Sequence, residues 1–317
     1  APSQPISQRL SRNRGASHNA GFQNRSAFAA KAQRYLFPEV PEDERFILYL
    51  GSGAEREGSL SNHMDADLVV ITVDLKIGGH MHDMTSESVH ASLLSAAGRS
   101  NCVGVLVSID CGSWSALRYV RPGPPTVRSL PLHAEGIPKA DGSMPDSVLV
   151  GNKCLDVCLD VCDRVMSRLG GFCVFESPPG RGEGSQFAIK GREDHASMFS
   201  YPRLAAFMVK HKTQSVFFDQ CRTRSAGEPN AVKTTQLECT PLAFTPVRVL
   251  FSPLICNHSG GHDTMASEID EQGAYKSESF AAYSSHMNEL LARALHAAAA
   301  GAKLSVESLR PTSQQVP

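Results

Sequence analysis

The chain has no apolar run long enough to span a bilayer, and its first residues lack the charged-then-apolar layout of a signal peptide. The expectation is a soluble, intracellular protein, nuclear or cytoplasmic, with no membrane partner. Net charge is also scarce: 31 Lys and Arg against 32 Asp and Glu leave −1, so overall electrostatics single out neither a nucleic-acid binder nor a trap for acidic ligands. Aromatic residues make up only 7% and Trp114 is the sole tryptophan, which reads as packing beneath a loop rather than as a base-stacking platform. Acidic residues are missing before Glu39, while Arg9, Arg12, Arg14, Arg25, Lys31 and Arg34 fall in that stretch. Such an arm suits phosphates, although a solvated arm is the simpler reading. Sustained apolar periodicity is missing from both ends. The organisation expected is therefore a linker-like basic arm over 1–43, one folded domain over 44–300 and a polar tail over 301–317.

Cysteine, by contrast, is present in number, with nine residues dispersed along the chain. Cys154, Cys158 and Cys162 fall at i, i+4 spacing in a helical stretch, where they make one stripe with neighbouring Leu and Val residues. Packing against a sheet in a reducing compartment is the expected use, ahead of a soft-metal site. Cys256, His258 and His262 have a spacing that would seed a zinc site, but three ligands are one short. A loop closed by ordinary hydrogen bonds is the default there, and no metal ligand is assigned.

The order of elements points to an enzyme. Phe46–Leu50 is a short apolar run that meets Gly51, Ser52 and Gly53, with a helix expected to open near Leu60. Strand, glycine turn and helix suit a nucleotide-type cofactor. Leu68–Val73 ends in Asp74, placed to accept hydrogen bonds from a ribose diol. Asp83 follows in a loop where it would either reach an adenine edge or form an Asx turn, with Thr85 starting the next helix. Val103–Ile109 ends at Asp110 and Cys111, Phe172–Phe175 at Glu176, and Ser215–Phe218 leads to Gln220, Arg222 and Arg224. A last strand is expected near Val247–Phe251 and a closing helix over Ser277–Ala300. Alternating strands and helices imply an α/β, doubly wound, mostly parallel sheet whose crevice lies at the strand C-terminal ends. Every residue singled out sits there.

From Phe46 onward the chain resembles the cytosine-5 DNA methyltransferases that use S-adenosyl-L-methionine, most of all the divergent methylase-like domains of eukaryotic retroelement polyproteins. The motifs that carry the likeness are LYLGSG ending the first strand, Asp74 ending the second, Asp110-Cys111 after the fourth, Glu176-Ser177-Pro178 after the fifth, and Gln220-x-Arg222-x-Arg224. Trp114 to Arg118, Pro124-Pro125, Arg128-Ser129, Gly151-Asn152, the Lys233-Thr234-Thr235 run and Cys256-x-His258 look like the retroelement branch. The likeness covers about two-thirds of the chain. It departs from the family at Asp110, where a proline usually precedes the nucleophile, at Ser177, where asparagine is usual, and in lacking a long insert after Arg224 for target recognition.

The resemblance implies a Rossmann-like methyltransferase fold without a separate target-recognition domain, and an enzyme acting on cytosine carbon-5 in nucleic acid, DNA rather than RNA. It implies S-adenosyl-L-methionine held by Gly51, Ser52, Gly53, Asp74, Asp83 and Asp110. Cys111 would add to the base, Glu176 would serve its ring nitrogen, and Arg222 and Arg224 would hold its carbonyl or a phosphate. The base would have to be flipped out or single-stranded. The first residue is not methionine, which suits a domain excised from a polyprotein whose other domains would be partners. Two alternatives stand beside this expectation. One is a catalytically inactive relative that binds nucleic acid or serves assembly, because a carboxylate beside a thiol disfavours thiolate. The other is an NAD-type oxidoreductase, which the glycine turn and Asp74 also suit.

Overall fold

The computed structural model describes residues 40–301 except 66, 111, 120–123, 226–230, 258–261 and 263–281. Six short strands form one sheet: β1 (Arg45–Leu50), β2 (Leu68–Val73), β3 (Cys102–Val107), β4 (Phe172–Ser177), β5 (Gln214–Asp219) and β6 (Thr234–Cys239). Their order is β2-β1-β3-β4-β6-β5, with β6 alone running antiparallel to its neighbours. The chain leaves β1 for β2 on one side and returns to β3 on the other. The β1/β3 boundary is thus a switch point, and loops diverge there to open a crevice.

Strand alternation sends side chains to both faces, and both are covered by helices. Phe46, Leu48, Leu50, Val105, Val107, Cys173 and Phe175 pack beneath α1 (Glu87–Gly98), α2 (Asp146–Met166) and α3 (Pro202–His211). Ile47, Tyr49, Leu106, Phe172 and Val174 pack beneath α4 (Pro241–Phe251) and α5 (Ser285–Ala299). On α2 the expected stripe forms: Cys158 and Cys162 are fully buried with Leu155, Leu159 and Val165, and Cys154 is half-buried. Among the described residues no helix is long and apolar enough to cross a membrane.

Several boundaries differ from the sequence-based expectation. Val247–Phe251 is the last part of α4, not a strand. The helix starts with Pro241 in its first turn, and Ala243, Val247, Leu250 and Phe251 give it a buried stripe at helical spacing. The remaining strand is instead β6, which carries Thr234, Thr235, Gln236 and Glu238, all buried. Its polar side chains are satisfied sideways. Gln236 Nε2 donates to Ser215 Oγ at 3.1 Å, Thr234 Oγ1 to Asp219 Oδ1 at 2.7 Å and Gln220 Nε2 to Thr235 Oγ1 at 3.0 Å. Among the described residues no α-helix lies between the glycine turn and β2; Leu60–His63 is one 3-10 turn with Leu60 its only buried residue, too few apolar positions to dock a helix. Helix α1 begins at Glu87, two residues after Thr85, and the closing helix begins at Ser285 rather than Ser277, because Ser284 stops it from extending backwards: its backbone is extended and its Oγ caps the helix by accepting from Met287 N–H at 3.1 Å, while 277–281 lie outside the described residues.

Candidate functional site

A cleft of about 610 Å³ opens at the strand C-terminal ends, across the switch point. That volume lies within the range of roughly 300–1,000 Å³ usual for small-molecule sites. The loops after β1 and β3 start side by side, since Gly51 N–H donates to Val73 O at 2.8 Å and Ser108 N–H to Leu50 O at 2.9 Å. Gly51 has φ +76°, and a Cβ there would sit 2.6 Å from Ser108 O and 2.7 Å from Ile109 Cα. Only glycine lets the two loops approach so closely.

Asp74 holds the glycine turn from the neighbouring strand. Its Oδ2 accepts from Gly53 N–H at 2.9 Å and its Oδ1 from Lys76 N–H at 2.8 Å, leaving one lone pair on each oxygen for a ligand. Asp74 N–H donates to His82 Nδ1 at 3.3 Å, and partial burial lowers His82 below the ordinary histidine range. Asp83 lines the same cleft and forms an Asx turn, its Oδ1 accepting from Thr85 N–H at 2.9 Å and Thr85 Oγ1–H at 2.7 Å. Leu75 reaches the cleft too, unusually exposed for its type at 56%, while Met84 and Ile109 form buried apolar wall.

Deeper in the cleft stands Glu176. The alternation that buries Ile47, Leu106 and Val174 under α5 carries Tyr49, Ser108 and Glu176 to the same face one step further along each strand. Glu176 is 5% exposed, and its Oε2 accepts from Ser108 Oγ–H at 2.9 Å. Ser108 Oγ also pairs with the hydroxyl of Tyr283, just ahead of α5. Burial first, and the Glu176 carboxylate second, hold both Tyr49 and Tyr283 well above the usual phenol range. Glu176 Oε1 is buried without a hydrogen-bond partner among the described residues. A buried carboxylate oxygen lining a cleft with no partner is costly unless a ligand meets it.

The other expected site residues distribute as follows. Asp110 is exposed at the cleft, its Oδ1 accepting from Gly112 N–H at 2.9 Å; Cys111 between them lies outside the described residues. Arg222 is exposed and does not line the cleft. Arg224 does not line it either, but donates to Ala282 O at 2.7 Å, next to Tyr283. Thr223 Oγ1 accepts from Ser284 Oγ–H at 3.0 Å, so the motif turn holds the segment that brings Tyr283 in. Glu176 has no ion pair with Arg181, whose guanidinium lies 5.6 Å from the Phe187 ring. Cys256 and His262 are described, and His258 is not.

Arg128 underpins the loop after Cys111. It is 2% exposed and its guanidinium lies 4.1 Å from the Trp114 ring, donating to Ser113 Oγ at 3.0 Å, Ala134 O at 2.8 Å and Asn152 Oδ1 at 2.8 Å. A Cβ on Gly151 would reach within 3.2 Å of Trp114, so this helical glycine makes room for the indole. Trp114, Arg128, Gly151 and Asn152 thus form one packed support, with Trp114 buried as expected. Tyr49, Ser108, Tyr283 and Lys233 line the cleft without having been singled out from sequence as site residues. Period-two alternation from Leu106 and Ile47 would have found Ser108 and Tyr49; only the fold brings in Tyr283. Comparison with family models, with curated proteins and with solved structures gave no match for this chain.

Proposed function

We propose that the chain is an S-adenosyl-L-methionine-dependent methyltransferase-like domain of Rossmann-like fold that acts on a cytosine base in nucleic acid. The observation that carries this reading is the single cleft in which a glycine turn, a strand-tip aspartate and a buried glutamate with a free oxygen face one another. Gly51, Ser52 and Gly53 would border the cofactor, Asp74 would receive its ribose hydroxyls, and Leu75, Met84 and Ile109 offer apolar surface for a purine. Among the described residues the connection from β1 to β2 holds a 3-10 turn and no α-helix, so no α-helix N-terminus is available there to receive a dinucleotide pyrophosphate. That favours a cofactor without phosphates over a nicotinamide dinucleotide.

When bound, S-adenosyl-L-methionine supplies the methyl group that ends on carbon-5 of the base. The Cys111 sulfur would add to carbon-6 while Glu176 would hold a proton at ring nitrogen N3 as the ring gains electron density, and loss of the carbon-5 proton to water would then restore the double bond and expel the Cys111 thiolate. Calorimetry should detect S-adenosyl-L-methionine binding to the purified chain, and absence of binding would remove the cofactor from the reading. DNA carrying 5-fluorocytosine should trap the protein covalently in a Cys111-dependent manner. Equal trapping by Cys111→Ser would take the nucleophile role away from that residue. Cofactor binding without any trapping would point to the catalytically silent module, for which the Asp110 carboxylate beside Cys111 is the motivating feature.

A further inference from the structure

At the Gln220–Thr223 turn two cysteines and a histidine meet. Cys221 follows β5, while Cys256 and His262 follow α4, and their three donor atoms all lie within 4.8 Å of one another. None of the three lines the cleft. We propose that Cys221, Cys256 and His262 form a zinc site that fastens the loop after α4 to the turn carrying Arg222 and Arg224, with a fourth position for water or one further ligand.

Geometry and donor chemistry support the assignment. Cys256 Sγ and His262 Nε2 are 3.5 Å apart. A tetrahedral zinc with Zn–S of about 2.3 Å and Zn–N of about 2.0 Å sets an S···N edge of about 3.5 Å and an S···S edge of about 3.8 Å. Two sulfurs and an imidazole are the donors that select zinc over magnesium or calcium. The backbone around Cys221 and Cys256 is held independently of any ion. Asp219, the last residue of β5, accepts from Cys256 N–H through Oδ2 at 2.8 Å and from Thr234 Oγ1–H through Oδ1 at 2.7 Å, while its own N–H donates to Leu254 O at 2.9 Å. Gln220 N–H donates to Lys233 O at 3.0 Å, fixing the turn from the other side. Bonds of this kind fix the positions from which two of the three ligand side chains start.

The sequence alone offered Cys256, His258 and His262; the fold supplies Cys221 from 35 positions before Cys256. The inference stands apart from the methyltransferase reading, because its readout is metal and not activity. Purified full-length chain should carry close to one equivalent of zinc. After exchange with cobalt, it should show a sulfur-to-metal charge-transfer band and the visible bands of a four-coordinate site. Cys256→Ser should weaken the charge-transfer band and Cys221→Ser should do the same, whereas Cys154→Ala should leave it intact. His262→Ala, at a half-buried position, removes only the nitrogen donor and should lower metal affinity about tenfold or more without unfolding. A wild-type chain that leaves cobalt with its octahedral solution spectrum would overturn the proposal and leave a thiol–imidazole hydrogen bond. So would a charge-transfer band that survives loss of both Cys221 and Cys256.

Discussion

Glu176 is the last residue but one of a strand whose every residue is buried, and its carboxylate accepts from a hydroxyl rather than from backbone N–H groups. Glutamine keeps its shape and can still accept from Ser108, but cannot hold a proton for the base. On the proposed reading Glu176→Gln should cost about 10²- to 10⁴-fold in methyl transfer, the range typical of a positioned acid or base. S-adenosyl-L-methionine affinity and melting temperature should barely change. A variant that retains full turnover in a methyl-incorporation assay would exclude Glu176 from the chemistry.

His195 makes a second prediction, independent of function. It is 2% exposed, its Nδ1 accepts from Arg181 N–H at 3.0 Å and its Nε2 lies 2.9 Å from Trp114 O. The imidazole is therefore neutral with the proton on Nε2, and a second proton would oppose the Arg181 N–H. Burial above all, helped by Arg192 and Arg181 and opposed by the Trp114 carbonyl and Asp194, lowers its pKa below the ordinary value of 6.5. With the folded pKa below the unfolded one, the unfolded chain binds more protons on acidification, so the His195 contribution is complete above about pH 6.5 and is lost as pH falls through the folded pKa. Urea midpoints should drop from pH 7.5 to 5.5, and the drop should shrink in His195→Gln. An unchanged pH slope in that variant would show that His195 is not the titrating group; His82, also lowered, would then be tested next.

At the scale of elements, the turn after β1 depends on one glycine. Gly51→Ala would place a methyl group against the backbone of Ser108 and Ile109 at a left-handed φ, so the loop after β3 must move. The conformational term alone costs about 1–2 kcal/mol, and displacement of both loops should also abolish cofactor binding. Thermal melts and calorimetry on the same variant check the two parts. This turn was legible in the sequence, as were β1 to β5, because apolar runs such as Phe46–Leu50 and Leu68–Val73 end abruptly at glycine or acid. Two elements were not. In β6, Thr, Gln and Glu side chains are buried by bonding to one another and to β5, a pattern that hydrophobic periodicity cannot register. In α4, the five residues Val247–Phe251 are too few to separate helix from strand, and Thr240-Pro241 was the start signal to read. Within the site, strand-end residues such as Asp74 and Glu176 could be read from local sequence. Tyr283 joins them through the fold alone, where Arg224 holds Ala282 O, Arg56 holds Tyr283 O and Thr223 holds Ser284.

The near-neutral charge of the whole molecule conceals an uneven division that bears on any nucleic-acid partner. Residues 1–39 hold six cations and Glu39; taking these from 31 basic and 32 acidic residues leaves 25 against 31, so residues 40–317 carry −6. A body with that charge repels phosphates at long range, and attraction must come from local patches or from the arm. If the arm supplies it, binding should depend on salt through those six side chains, each phosphate neutralised contributing about −0.9 to the slope of log K against log salt on duplex DNA. Replacing Arg9, Arg12, Arg14, Arg25, Lys31 and Arg34 by glutamine in the full chain should flatten the slope by up to about 5 and weaken binding most at low salt. Metal content and S-adenosyl-L-methionine affinity should be untouched, because the described residues that line the cleft and form the Cys221 cluster all lie beyond position 40. A salt slope that survives the six substitutions would place the phosphate contacts on the folded body, and the exposed Arg222 would then be the first position to substitute.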